Sequence, residues 1–429
     1  MKQMKKRILV LSVFGVLGLC TAEALAYDSF TVSNSLLNYE SNVSEVLHGF
    51  CFLEGSQESE AMKQVVVDVA SIERKRVLTA AAISLKEAPV TITAYSSPRS
   101  AGGIHDFFSE GDYWWPDPNN PDGPYIQRDG MTNPDNFVKH REVMFHFAKI
   151  VSCLTAAYKL TGDETYALHA VKHVTAWFVN PATKMNPHLL YAQAIKGRVT
   201  GRGTGIIDTI HLLEVARSLE FLCDSKSMDE ESKTAILRWF KEYLSWLTTH
   251  NYGTDERDAK NNHGTWWIAQ VAGFAHLVAD TAQLSYCRSQ FKNVLMPYQM
   301  AADGSFPLEL KRTKPYNYSI FNLEGFAVIC QILSTPVDNL WKFTLSDGRN
   351  MQRGMKFLFP YLADKTKWPF AKDVMHFDAF PSQRPMLLFA GLAFNEQRYI
   401  DLWKKLDPDP PNAEVQRNVP LKQPYLWVK

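Results

Sequence analysis

From residue 137 onward the apolar residues recur at every third or fourth position, and strand-like alternation is sparse. Met144, Phe147, Val151, Leu154 and Tyr158 fall on one side of a helix that Gly162-Asp163 ends. Residues 164–179 form the next. Ile210, Leu213, Ala216 or Arg217, and Phe221 mark a helix over 208–223, and Ile236, Phe240, Tyr243 and Leu247 one over 229–248. Further helices are expected at 71–87, 265–282, 284–297, 321–334, 350–362, 384–395 and 397–405. No βαβ rhythm appears, so the helices must bury their apolar stripes against one another. An all-α single (α/α) toroid, an incomplete barrel of helical hairpins with long substrate-binding loops, accommodates this length as one domain over residues 27–429. A stack of helical repeats would need a strict short period, which is absent.

Residues 98–136 break the pattern. The run GDYWWPDPNNPDGPYIQRDGMTNPDNF is too rich in proline for a helix or a central strand. Its large aromatics, Tyr113, Trp114, Trp115, Tyr125 and Phe137, argue against disorder, and ordered loops of this length are usually functional. Turn chemistry accounts for Asp117 and Asp122.

Charge excludes some partners. With 46 Lys+Arg against 45 Asp+Glu the net charge is +1, so a general nucleic-acid or membrane-surface binder is not expected. A polyanion would need a local cluster of cations. Lys2, Lys5, Lys6 and Arg7, the apolar stretch Ile8 to Leu19, and Ala24-Leu25-Ala26 together read as an export signal over residues 1–26. The mature chain would be periplasmic or extracellular. A lipid anchor at Cys20 is disfavoured by the bulky Leu19 before it, and no later segment reads as a membrane span. The other cysteines, Cys51, Cys153, Cys223, Cys287 and Cys330, are widely spaced, and buried free thiols are the expectation.

Several segments at helix mouths carry chemistry-bearing side chains. Asn261-Asn262-His263-Gly264 precedes an apolar helix. It reads either as a simple N-terminal cap or as a neutral donor beside a base whose pKa lies near neutrality. Lys311-Arg312-Thr313-Lys314, followed by Tyr316 and Tyr318, reads either as a solvated basic turn or as a cationic wall with a tyrosine close by. An arginine there can clamp a carboxylate, and its charge is expected to lower the tyrosine's pKa. Gly201-Arg202-Gly203-Thr204-Gly205 lacks the strand and fingerprint of a phosphate cradle and is expected to be a flexible loop. His169 and His173 lack a third partner for a metal.

Four segments taken in order resemble the alginate-lyase-type polysaccharide lyases, most closely the polysaccharide lyase family 38 group. They are DYWWPDP with PDGPYIQRDG, MNPHLLYAQ with GRGTGIID, NNHGTWW, and DGSFPLEL followed by Arg312, Tyr318 and SIFNL. They span residues 112–323, about half the chain. The resemblance implies a helical toroid, an anionic uronan substrate and no metal or organic cofactor. It implies that Asn262 binds the substrate carboxylate and that His263 is a base or a carboxylate neutraliser. The arginine of the family's ELxR motif matches Arg312, and its tyrosine matches Tyr318 rather than Tyr316. Tyr113, Trp114, Trp115, His188, Tyr191, Gln193, Asn261, Trp266 and Tyr316 would line the sugar-binding groove.

The implied reaction is β-elimination in a 1,4-linked uronan, alginate or glucuronan. The C5 proton is barely acidic while the neighbouring C6 carboxylate is charged. Asn262, Arg312 and His263 would neutralise that charge, and His263 and Tyr318 would serve as base and acid. Two alternatives stay open at this point. One is a glycoside hydrolase using a carboxylate pair such as Asp112 or Asp129 with Glu309. The other is a non-catalytic carbohydrate-binding protein.

Overall fold

The computed structural model describes residues 57–428, and all of them belong to one compact unit. The export signal, Cys20 and Cys51 lie outside the described residues. The long helices are α1 (Gln57–Ser84), α2 (Lys139–Thr161), α3 (Glu164–Phe178), α4 (Leu212–Leu222), α5 (Glu230–Thr249) and, after the short α6 (Asn251–Arg257), α7 (Asn262–Leu277) and α8 (Thr281–Gln290). Two short helices follow, α9 (Met296–Gln299) and α10 (Pro307–Leu310). The chain continues through α11 (Pro315–Leu333), α12 (Met351–Ala363), α13 (Pro385–Phe394), α14 (Gln397–Lys405) and the short α15 (Ala413–Arg417).

Their packing makes two shells. Helices α2, α4, α7, α11 and α13 follow one another side by side as an inner series. Helices α3, α8, α12 and α14 each pack against an inner helix next to them in sequence, and α5 packs on α7. The sequence explains which helix goes where. In α7 and α11 nearly every residue is apolar or small, and nearly every one is buried, as a helix surrounded on all sides requires. Outer helices such as α5 and α14 keep a polar face. Helix α2 is long and apolar enough to cross a membrane, yet most of it is buried in this core.

The helical pattern predicts the periodic positions well. Met144, Phe147, Val151, Leu154, Ile210, Leu213, Ala216, Ile236, Phe240, Tyr243 and Leu247 are all buried. Some boundaries differ by a full turn and more: the helix expected at 71–87 begins at Gln57, and the one expected at 265–282 ends at Leu277. Helix α11 begins at Pro315, not near residue 321, because Asp373 reaches in from a distant loop. Its Oδ1 and Oδ2 accept the N–H groups of Tyr316 and Asn317 at 2.8 and 3.0 Å. Those free amides would otherwise be unsatisfied. Cys153, Cys223, Cys287 and Cys330 are free thiols, and burial pushes Cys153 up to about 12.

The aromatic loop is ordered by two small pairings. Strand β1 (Phe108–Glu110) runs parallel to β4 (Tyr191–Ala194), and β2 (Trp114–Trp115) runs antiparallel to β3 (Ile126–Gln127). The glycine run beside them is not a flexible loop. A Cβ on Gly201 would lie 2.0 Å from the carbonyl oxygen of Leu190, and one on Gly205 would lie 2.4 Å from Ala192 Cβ. The glycines therefore let the backbone press against β4 and hold Arg202 and Thr204 at the cleft. Gly201→Ala is expected to cost about 1–3 kcal/mol by overpacking, read as a lower urea midpoint at unchanged slope.

Candidate active site

A cleft of about 860 Å³ lies among β2, α2, α7, α11 and the C-terminal segment, and it continues into an open groove past Asp255, Glu256 and Asn261. Its floor is an ionic network. Arg141, on α2, donates to Asp112 at 2.6 and 3.1 Å and to Asp208 at 3.3 Å. Arg417, from α15, also donates to Asp112 and holds Glu414 at 2.9 Å. All of these groups are buried or nearly so. Burial alone would raise the Asp112 carboxyl, but the two guanidiniums overcome it and hold it far below the usual carboxylate range. Ser109 Oγ completes Asp208 at 2.6 Å and accepts the backbone N–H of Gln193 at 2.8 Å. Gln193 takes a left-handed backbone, with φ of 50°, and its Oε1 accepts from Arg202 at 2.8 Å.

The NNH segment opens α7, and its capping reading holds. Asn261 caps the helix, its side chain accepting the N–H of His263 at 3.3 Å. Asn262 is buried, and the Glu309 carboxylate accepts its backbone N–H at 2.6 Å and its Nδ2 at 2.9 and 3.0 Å. His263 is partly open to the cleft, with Nδ1 2.6 Å from Glu256 Oε1. Burial pulls its pKa down, and the Glu256 carboxylate more than reverses this, so the imidazole stays protonated above its usual range.

Arg312 is held by Asp129 at 2.7 and 3.2 Å, and Thr313 donates to the same carboxylate. Its guanidinium carbon lies 4.4 Å from the Tyr318 ring centre, and Nη2 reaches the Tyr318 hydroxyl at 3.4 Å. Tyr318 Oη also bonds Tyr113 Oη at 2.7 Å. The expected lowering of the Tyr318 pKa is not found. Burial outweighs Arg312 and pushes the phenol well above its ordinary value, so Tyr318 enters as a neutral donor.

Of the residues singled out in the sequence, Tyr113, Trp114, Gln193, Asn262, His263, Arg312 and Tyr318 come together at the cleft, and Asn261 lines its outer part. Others do not reach it. Trp266 is fully buried, its ring stacked on Phe321 at 4.9 Å and its Nε1 donating to the Phe321 carbonyl at 3.2 Å; Phe321, not Trp266, faces the cleft. Tyr316 is two residues from Tyr318, and therefore on the far side of α11. It is buried against Trp368 and Phe377, and its hydroxyl donates to the Tyr361 carbonyl at 2.9 Å. Trp115 caps the carbonyl of Met131, Tyr191 begins β4, and His188 faces Asp106 at 3.4 Å, all outside the cleft lining.

The hydrolase pair fails on the same geometry. Asp112 is locked between two arginines, Asp129 is bound by Arg312, and Glu309 sits behind Asn262. His169 and His173 both face the Glu87 carbonyl, and among the described residues no three ligands converge on a metal site. Sequence reasoning missed Glu256, which holds His263, and weighed Asp129 and Glu309 only as hydrolase carboxylates rather than as the groups that hold Arg312 and Asn262. It also missed the C-terminal contribution of Glu414, Arg417 and Asn418, for which no local pattern exists.

The chain belongs to the alginate lyase family, whose model matches residues 91–368. The crystal structure of an alginate lyase from Bacteroides ovatus is similar at 30% identity, with a TM-score of 0.74 over 86% of this chain and 96% of that one. The family and the structural likeness make the chain a polysaccharide lyase. Alginate lyase A1-III from Sphingomonas species A1 is 14% identical, with a TM-score of 0.46 over 74% of this chain and 85% of that one. A variant of A1-III complexed with tetrasaccharide is 15% identical, with a TM-score of 0.48 over 71% and 78% of the two chains. No curated protein sequence matches the chain.

Removing the Glu256 charge tests the electrostatics directly. In Glu256→Gln the His263 pKa is expected to fall, since the burial that lowers it would no longer be opposed by that carboxylate. Ring-proton NMR titration of His263 in both proteins reads this.

Proposed function

We propose that the protein is an exported alginate lyase of the family 38 type that cleaves 1,4-linked uronan by β-elimination. The observation that carries the reading is the convergence of Asn262, His263, Arg312 and Tyr318 on one cleft. Family membership and the similarity to the Bacteroides ovatus alginate lyase support alginate as the polymer. The basic and apolar N-terminal segment supports export.

In this reading the uronate C6 carboxylate docks between Asn262 and Arg312. Hydrogen bonds and positive charge there stabilise the enolate-like intermediate more than the ground state, because negative charge moves onto the carboxylate oxygens as the C5 proton leaves. The neutral phenol of Tyr318 delivers a proton to the departing O4. For guluronate, whose C5–H faces away from O4, His263 is the base, and it acts only when its imidazole is neutral. For mannuronate, C5–H and O4 are on one side, and the Tyr318 oxygen serves both steps. Arg312 beside that oxygen favours its brief tyrosinate form. Tyr113 and Trp114 hold sugar rings at the cleft mouth, with Arg198 and Arg202 at 5.2 and 5.9 Å from the Trp114 ring.

Absorbance near 235 nm is the direct test, an approximate position for the conjugated product of elimination. Polymannuronate, polyguluronate and glucuronan are tried separately; new reducing ends without absorbance would overturn the lyase reading. His263→Ala and Tyr318→Phe are each expected to lower turnover by about 10²–10⁴-fold with unchanged circular dichroism. The pH profiles should differ between substrates. On polyguluronate the rate rises as pH passes the His263 pKa, which lies above the usual imidazole range. In Glu256→Gln that rise moves to lower pH, while on polymannuronate no such limb is required.

A further inference from the structure

The cleft that binds a polyanion is itself rich in carboxylates. Asp129, Glu256 and Glu309 stand against Arg312 and His263. With every carboxylate ionised and His263 protonated, these groups carry a net negative charge before any substrate arrives. The three acids are not equivalent. Asp129 has Arg312 and Thr313, and Glu256 has His263. Glu309 is 1% exposed, and among the described residues no cation lies within ion-pair distance of it. Its hydrogen-bond partners are the backbone N–H and Nδ2 of Asn262. Asn262 also lines the cleft, so a carboxylate bound to it would lie one amide group away from a second, buried carboxylate.

Two like charges that close, away from water, are costly, and protonating one of them is the usual resolution. We propose that Glu309 takes up a proton from solvent as a uronate carboxylate docks on Asn262, and that the protonated acid turns the Asn262 amide to face the substrate with both N–H groups. This rests on the reading that a uronan carboxylate sits at Asn262. The hydrogen bonding supports it. An ionised Glu309 only accepts, and it holds Nδ2 against itself through both oxygens. A neutral Glu309 has an O–H that needs an acceptor. Oδ1 is at the other end of the same amide, and half a turn about the terminal torsion exchanges the two ends. The 2.6 Å bond from the Asn262 backbone N–H to Oε1 survives the exchange. Burial already holds the Glu309 carboxyl above its ordinary value; the backbone and side-chain hydrogen bonds from Asn262, then Arg312 and His263, pull it back only in part. Glu256 behind His263 and Asp129 behind Arg312 offset those two cations. Glu309 is thus a positioning residue, acting through Asn262.

Calorimetry with oligomannuronate and oligoguluronate tests this on the Tyr318→Phe protein, whose expected loss of turnover leaves the oligomers largely intact during the titration. Binding enthalpies are compared in buffers of different ionisation enthalpy. Uptake approaching about one proton per site is expected in the alkaline part of the binding range. Adding Glu309→Gln, which is neutral and keeps both a donor and an acceptor, should leave binding intact but remove the uptake and the pH dependence of affinity. Uptake that persists undiminished in that double variant would assign the proton to His263 or Glu256 and overturn the proposal, as would its absence in the Tyr318→Phe protein. An infrared difference spectrum of the Tyr318→Phe protein gives a readout that needs no change at position 309. A carboxylate band should be lost and a protonated carboxyl band gained when the oligomer is added. Failure of both oligomers to bind would sink the substrate reading itself, and this inference with it.

Discussion

The buried pairing of Arg141 with Asp112 and Asp208 is the interaction on which the site depends. Arg141 belongs to an inner helix, Asp112 to the aromatic loop, and Asp208 to the turn before α4. Arg417 adds the C-terminal segment. Each charge taken singly would be costly at this depth, and removing one partner of such a set typically destabilises by about 3–5 kcal/mol. As a set they satisfy one another and hold four distant pieces of chain at a common point. The residues around the cleft then follow. Asp112 fixes the start of the loop that carries Tyr113 and Trp114, and Asp208 fixes β4 through Ser109 and Gln193.

A second layer of carboxylates controls the residues proposed to do the chemistry. Glu256 orients His263 and raises its pKa, Asp129 orients Arg312, and Glu309 orients Asn262. This arrangement exchanges raw positive charge for position. A cleft with bare cations would bind the polymer strongly at the ground state, which does not speed elimination. Cations already paired with acids bind the ground state less and still offer directed donors as charge builds on the substrate.

The sequence made the helices and part of the site legible for different reasons. Helical periodicity reports burial of one face, so Met144, Phe147 and Phe240 were readable without any tertiary information. Asn262, His263, Arg312 and Tyr318 were readable because they fall in short motifs at helix starts. Trp266 shows the limit of that logic. It is followed in α7 by Trp267, Ile268 and Ala269, an unbroken apolar run that signals full burial and that a motif reading passes over. The resemblance preferred Tyr318 but still put Tyr316 in the groove; the start of α11 at Pro315, which Asp373 far along the chain determines, puts Tyr316 on the far side. Arg417 is 305 residues from Asp112, and nothing local to either predicts the pair.

The segment around α15 closes the cleft from a distance. Residues 413–428 lie beyond the stretch matched by the family model, yet they supply part of the cleft and bind the inner shell through the backbone of Lys422 and Gln423 on Glu214. The segments up to residue 368 by themselves supply Asp112 with one guanidinium, that of Arg141, and lack the second. The loop bearing Tyr113 is then only half anchored. Closure of the cleft is thereby shared between pieces of chain 305 residues apart, so that α15 acts as a latch on the loop that carries Tyr113.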